Sequence, residues 1–132
     1  MLEHNFMLLE KDSFNSLIEN FRKSNFFFEP LIFDELNISD KIILLSMPLW
    51  KQLTAWNYKN EKEIQGLAYH GITVFHPDQL MIIKELFSKS LVDFSKTISI
   101  FNRRKFKLEI NNFLFFLQKG IDRNMYLVHE GI

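Results

Sequence analysis

The most regular hydrophobic pattern in the chain follows the pair His76-Pro77. Apolar residues recur there at spacings of three and four, at Leu80, Ile83, Phe87, Leu91 and Phe94. This period predicts an amphipathic helix with one buried face. Pro77 suits its first turn, because the amide that proline lacks would have no helical partner there. The β-branched residues 72–75 before it predict a short strand or an extended connector. We expect this part of the chain to be the spine on which the other elements pack.

Four other segments show helical spacing behind a residue that can cap a helix. They begin after Asp12, Ser39, Asn60 and Asn112, and the second of them extends to Trp56. Pro48 interrupts that second pattern, which indicates either one kinked helix or two abutting helices. The third is expected to end at Gly71, where a left-handed backbone conformation is typical.

β-structure is predicted mainly near the end of the sequence. Residues 97–101 and 106–110 flank the polar link from Asn102 to Lys105, and Phe106, Leu108 and Ile110 alternate with charged residues. This pattern favours a β-hairpin. Residues 125–128 indicate a last short strand, whereas the apolar run within residues 1–10 is too short to assign. Together the patterns predict an α+β fold, with residues 1–132 as one compact, predominantly helical domain with a small antiparallel β-hairpin.

Composition narrows the classes of protein to consider. The 132 residues include 16 basic and 16 acidic side chains and no cysteine. The absence of cysteine excludes disulfides, thiolate zinc sites and cysteine nucleophiles, and the balanced charge argues against a protein that grips nucleic acid mainly by charge. The first residues lack the pattern of a signal peptide. No apolar run approaches the roughly 20 residues that span a bilayer. We expect a cytoplasmic protein with no membrane contact.

The histidines are the first candidates for chemistry. His70 and His76 flank a turn, but their spacing is not that of a zinc site, and His76 before Pro77 has a structural role as a helix start. His129 could transfer protons with Glu130 only if the tail folded into a cleft, and neighbours on a strand point to opposite sides. With four glycines in the chain, no phosphate-binding loop occurs. The sequence therefore predicts no catalytic, cofactor or metal site and a protein that is not an enzyme.

The segment from Asn25 to Asp40 is the strongest candidate for a partner-binding surface. Pro30 disfavours regular structure around it, and the segment combines consecutive aromatic residues with acidic ones and contains no lysine or arginine. It can be a loop that covers the core, with solvated carboxylates. Alternatively, it binds another protein, with apolar anchors and acidic complementarity to a basic partner. The residues proposed for that contact are Phe26, Phe27, Phe28, Glu29, Asp34 and Glu35.

These properties are typical of small proteins that sequester another protein, as the immunity or antitoxin partners of bacterial toxins do. The similarity is one of type only, since no motif identifies a family. A homo-oligomer is compatible with the same pattern.

Two further hypotheses concern other surfaces. Arg103, Arg104, Lys105 and Lys107 form the one basic cluster of the sequence. At a hairpin tip they could either keep the protein soluble or contact nucleic acid as an accessory protein. A small-ligand pocket between helices near Trp50, Trp56 and His70 is the third hypothesis.

Overall fold

The computed structural model describes residues 2–23, 31–58, 62–96 and 98–132, which build one α+β domain of four helices and a six-stranded antiparallel sheet. The strands are β1 (Glu3–Leu9), β2 (Asp34–Ser39), β3 (Thr54–Asn57), β4 (Glu63–Gln65), β5 (Ile72–Phe75) and β6 (Tyr126–Glu130). The helices are α1 (Lys11–Arg22), α2 (Asp40–Trp50), α3 (Gln79–Lys96) and α4 (Ile100–Asp122). Among these described residues, no helix is both long and apolar enough to cross a membrane.

The strand order is β2-β1-β6-β5-β3-β4, so the first and last strands of the chain lie side by side within the sheet. Met7 of β1 lies opposite Val128 of β6. Successive side chains of a strand point to opposite faces. Phe6 and Leu8 therefore face one layer, and Met7 and Leu9 face the other, and all four are buried. A strand covered on both faces needs apolar residues at consecutive positions, which explains the short apolar run near the start of the sequence.

Helices α2, α3 and α4 cover one face of the sheet, and the main core lies between. Trp50, Phe87 and Phe113 are among the largest fully buried side chains there. On the other face, α1 packs Leu17 against Met7 and Val128. α1 covers only part of this second face, and the side chains at the polar ends of β1, β2 and β6 are exposed there.

Four sequence predictions are confirmed by the observed elements. The first predicted helix corresponds to α1, and the pattern after Pro77 corresponds to α3, which begins at Gln79. Residues 72–75 form β5, and the predicted last strand is β6. The six-stranded sheet is much larger than the predicted hairpin, and it contains none of the hairpin's described residues.

The β-hairpin predicted over residues 97–110 is wrong, since residues 100–110 belong to α4. The buried side chains of α4 recur at helical spacing, at Phe106, Ile110, Phe113 and Leu117. Leu108, which completed the alternating pattern, is exposed. Three alternating apolar residues are therefore weaker evidence for a strand than a helical spacing over several turns is for a helix. Asn112 consequently lies inside α4 and caps nothing.

The helices predicted between residues 40 and 71 cover segments that form strands in the structure. α2 ends at Trp50, with Pro48 in its last turn, and Trp56 belongs to β3. Residues 63–65 form β4 rather than a helix, and Asn60 lies outside the described residues. The left-handed glycine is Gly66, with φ of 87°, rather than Gly71. The N–H of Gly66 donates to the Leu53 carbonyl at 2.9 Å, which extends the pairing of β3 with β4 by one residue.

Candidate functional site

A hydrogen-bonded chain of four polar side chains lies where β1, β6 and α2 meet. The Nδ1 atom of His4 lies 2.8 Å from Nε2 of His129, and Nε2 of His4 lies 2.9 Å from Oδ1 of Asp40. The Tyr69 hydroxyl donates to the same carboxylate oxygen at 2.5 Å. Both histidines are completely buried. Buried polar groups are costly unless they are paired. These hydrogen bonds therefore stabilise the contact between segments that are far apart in sequence.

Strand register brings these residues together. His4 shares a face of β1 with Phe6, and Phe6 lies opposite His129 of β6. Asp40 is the first residue of α2 and directly follows β2. Tyr69 lies in the turn before β5. His129 was a candidate from its position beside Glu130, but its pairing with His4 could not be predicted, because no local pattern joins residues so far apart.

The hydrogen bonds that Asp40 accepts favour its ionised form. Hydrogen bonds from Tyr69 and then from His4 lower the pKa of Asp40, so it is a carboxylate, and Asp40 in turn raises the pKa of Tyr69. Nε2 of His4 therefore donates to the Asp40 carboxylate, and Nδ1 of His4 shares one hydrogen bond with Nε2 of His129. Burial, and secondly the neighbouring His4, lower the pKa of His129 to about 3. A neutral His129 leaves its Nδ1 atom without a hydrogen-bond partner in the described structure.

A cavity of about 360 Å³ opens between the start of α2 and the first half of α4. Its size lies within the usual range of small-molecule sites. Its apolar lining consists of Leu2, Ile42, Leu45, Ile98 and Phe106. Its polar lining consists of Ser39, Asp40, Lys41, Asn102, Lys105 and Glu109.

Two carboxylates line this cavity in different ways. Glu109 accepts from the backbone N–H of Ser39 at 3.2 Å and from its hydroxyl at 3.1 Å, which fixes α4 to the start of α2. The side chain of Asp40 is 17% exposed, and both of its hydrogen bonds end on Oδ1. Its Oδ2 atom, like Oε1 of Glu109, receives no hydrogen bond from the described residues.

The described strands carry acidic residues but no lysine or arginine. The five acidic positions are Glu3, Asp34, Glu35, Glu63 and Glu130. By strand alternation and register, all except Asp34 point to the face that carries α1. These four glutamates are exposed. We call the part of this face formed by Glu3, Asn5, Glu35, Asn37 and Glu130 the acidic sheet face.

The proposed partner-binding residues are only partly described. Phe26, Phe27, Phe28 and Glu29 lie outside the described residues. Glu35 lies on the acidic sheet face, opposite Met7. Asp34 points to the helical side instead, where its Oδ2 atom lies 2.8 Å from Nζ of Lys119.

The residues just before β2 expose apolar surface. Leu31 is 79% exposed and Phe33 is 41% exposed. The guanidinium of Arg123 lies 4.5 Å from the ring centre of Phe33. β2 itself is a terminal strand of the observed sheet. The region around Glu35 thus combines a strand at the sheet edge, apolar side chains and negative charge.

The basic cluster lies in the first turns of α4 and not at a hairpin tip. Arg104, Lys105 and Lys107 are exposed, whereas Arg103 is partly buried and donates from Nε to the Ile98 carbonyl at 3.2 Å. Phe106, which lies between Lys105 and Lys107 in sequence, is buried. The side chain of Phe101 lies outside what the structure describes. The predicted position of the basic residues at a hairpin tip is therefore wrong, although the exposed positive charges remain.

His70 and His76 have different surroundings. His70 is exposed, with Nδ1 3.0 Å from the Ile132 carbonyl oxygen. The ring of His76 stacks on Trp56 with centroids 3.7 Å apart, beside a second cavity that Phe14 and Tyr126 also line. Trp50 is part of the core, so the pocket hypothesis around Trp50, Trp56 and His70 does not describe one site. No group of three potential metal ligands occurs among the described residues.

These sites were compared with known proteins through the sequence and the fold. No protein-family model matches the chain, and comparisons with curated proteins and with solved structures gave no match. Function is therefore inferred from the chain's own residues.

Proposed function

We propose that this chain is a cytoplasmic, non-enzymatic protein-binding module that sequesters a basic partner protein, in the manner of immunity or antitoxin proteins. The supporting observation is the acidic sheet face, where every charged strand residue is a glutamate. An exposed surface of one charge sign accelerates association with an oppositely charged partner and disfavours others.

The geometry of this face suits contact with an extended surface. Asn5 lies between Asn37 of β2 and Glu130 of β6 and donates to Oδ1 of Asn37 at 2.8 Å. On the same face, Glu3 lies two residues from Asn5 along β1, and Glu35 lies two residues from Asn37 along β2. The carboxylates thus surround a flat polar centre that can exchange hydrogen bonds with a partner.

Apolar anchors complete the proposed interface at one side. Protein interfaces owe most of their affinity to a few large side chains, and surrounding charges add specificity and speed. The exposed Leu31 and Phe33 precede β2, next to Glu35 in sequence. Phe26, Phe27, Phe28 and Glu29 remain part of the proposal as the chain immediately before them.

Charge reversal on this face provides the test. A partner isolated by pull-down from the native host should bind Glu35→Lys/Glu130→Lys at least about tenfold more weakly than wild type, because two attractions become repulsions. The loss should shrink in high salt. Titration calorimetry at two salt concentrations measures both effects.

The matched control reverses two exposed acidic residues on the helical side, with Glu85→Lys/Asp93→Lys. It changes the net charge equally and should leave affinity within about twofold of wild type. Equal losses from both pairs would show that total charge, rather than the acidic sheet face, governs binding. No loss from either pair would place the interface elsewhere.

The alternative function is that of a nucleic-acid-associated accessory protein, favoured by the exposed Arg104, Lys105 and Lys107 on α4. It predicts salt-sensitive binding to DNA or RNA, because each phosphate contact releases counterions. Replacing Arg104 and Lys105 with alanine should then lower affinity and reduce the salt slope. A gel-shift titration that shows no binding at low salt would dismiss this function.

A further inference from the structure

We propose that the cavity between α2 and α4 binds a small amphiphilic organic cation, with its ammonium group against Asp40 and its hydrocarbon part against Leu45, Ile98 and Phe106. This site lies on the helical side of the sheet and is separate from the acidic sheet face. The proposal therefore stands or falls independently of the proposed protein partner.

The inner walls of the cavity suit a hydrocarbon chain. Ile42, Ile98 and Phe106 are buried side chains that nevertheless border the empty space, and Leu2 lies nearer to solvent. A volume of about 360 Å³ accommodates a ligand with a chain of six carbon atoms and leaves room for water. Covering these apolar walls removes hydrophobic surface from water, which favours binding.

The polar end of the ligand is set by Asp40. Its Oδ1 atom is held by Tyr69 and His4, so the carboxylate is oriented before any ligand arrives. Its Oδ2 atom can accept a charge-assisted hydrogen bond, which is stronger than one between neutral groups. An ammonium group supplies both the donor and the opposite charge, whereas a carboxylate would be repelled.

Other charged groups around the cavity modulate this preference. Glu109 adds a second negative charge to the wall, although two of its hydrogen bonds go to Ser39. Lys41 and Lys105 are exposed, so their long side chains can carry the ammonium groups away from the apolar walls. The carboxylates of Asp40 and Glu109 therefore favour a cation. The ammonium groups of Lys41 and Lys105, at the solvent side of the cavity, reduce the affinity for it.

Three ligands of the same length test the inference. Hexylammonium, hexanol and hexanoate are titrated into the full chain, with affinity and contact site read from NMR chemical shifts. We expect hexylammonium to bind about tenfold more tightly than hexanol, and hexanoate to bind most weakly. In Asp40→Asn, which keeps an oxygen acceptor for Tyr69 and His4, the preference for the amine over the alcohol should fall to about twofold or less.

Two further variants separate binding from folding. Leu45→Trp should weaken all three ligands by narrowing the cavity, and it leaves the hydrogen-bonded chain of Asp40 in place. Glu35→Gln removes one negative charge on the opposite face of the sheet and should leave the preference for the amine unchanged. The proposal is overturned if no ligand shifts the cavity residues. It is also overturned if hexanoate binds best, or if folded Asp40→Asn keeps the tenfold preference.

Discussion

Lowering the pH from about 7.5 to about 4 should reduce the unfolding free energy of the wild-type protein by about 3 kcal/mol more than that of His129→Gln. Burial lowers the pKa of His129 to about 3 in the folded protein, whereas the unfolded chain titrates at its ordinary value of 6.5. Between these values the unfolded state binds more protons, so acid favours unfolding. The stabilisation is complete above pH 6.5 and disappears as the pH falls towards 3.

Denaturant titrations at several pH values measure this difference. Glutamine suits the comparison because it does not titrate and its amide offers both a donor and an acceptor to Nδ1 of His4. The matched control is His70→Gln, which removes an exposed imidazole and should retain the acid sensitivity of the wild type. If His129→Gln lost as much stability in acid as the wild type, a different group would be responsible.

Trp50→Ala should lower the free energy of unfolding by about 3–5 kcal/mol, because it leaves a large cavity in the main core. Trp50 is fully buried, and its Nε1 atom donates to the Ser46 hydroxyl at 2.9 Å. Four aromatic rings surround it at centroid distances of 5.8, 5.6, 5.1 and 6.0 Å: Phe6, Phe75, Phe87 and Phe113. These rings come from β1, β5, α3 and α4, so the indole joins both layers of the core.

Chemical denaturation followed by circular dichroism provides the measurement. Trp50→Phe keeps most of the ring and loses the hydrogen bond to Ser46, so its loss should be smaller, and it remains measurable if the alanine variant does not fold. Phe115→Ala removes an exposed aromatic ring from α4 and should change stability by less than about 0.5 kcal/mol. A similar loss from Trp50→Ala and Phe115→Ala would contradict the central position of the indole.

Sequence patterns predicted those elements whose burial follows a single period. In α3, Leu80, Ile83 and Phe87 are all buried, so one helical face explains the pattern. In α2 the helical spacing that continued to Trp56 was misleading, because the most deeply buried positions are Ile43, Ser46 and Trp50. Buried residues of α2 lie on more than one stripe, so a single helical face does not describe its burial.

The candidate sites were harder to predict because they depend on contacts between distant segments. Glu35 could be proposed as an exposed acidic residue, but its neighbours Glu3 and Glu130 come from other strands. Asp34 and Glu35 are adjacent in sequence and yet lie on opposite faces of the sheet. Likewise, Asp40 gains its role from His4 and Tyr69, which no local spacing connects to it.

The pairing of β1 with β6 also constrains how the protein is made in the cell. Phe6 is synthesised 123 residues before His129, the residue that it pairs with. At about 5–20 residues per second, the interval is on the order of ten seconds. Throughout that interval β1 lacks one of its two neighbouring strands, and its apolar side chains are open to wrong pairing. We therefore expect the nascent chain to depend on ribosome-associated chaperones until β6 emerges and closes the sheet.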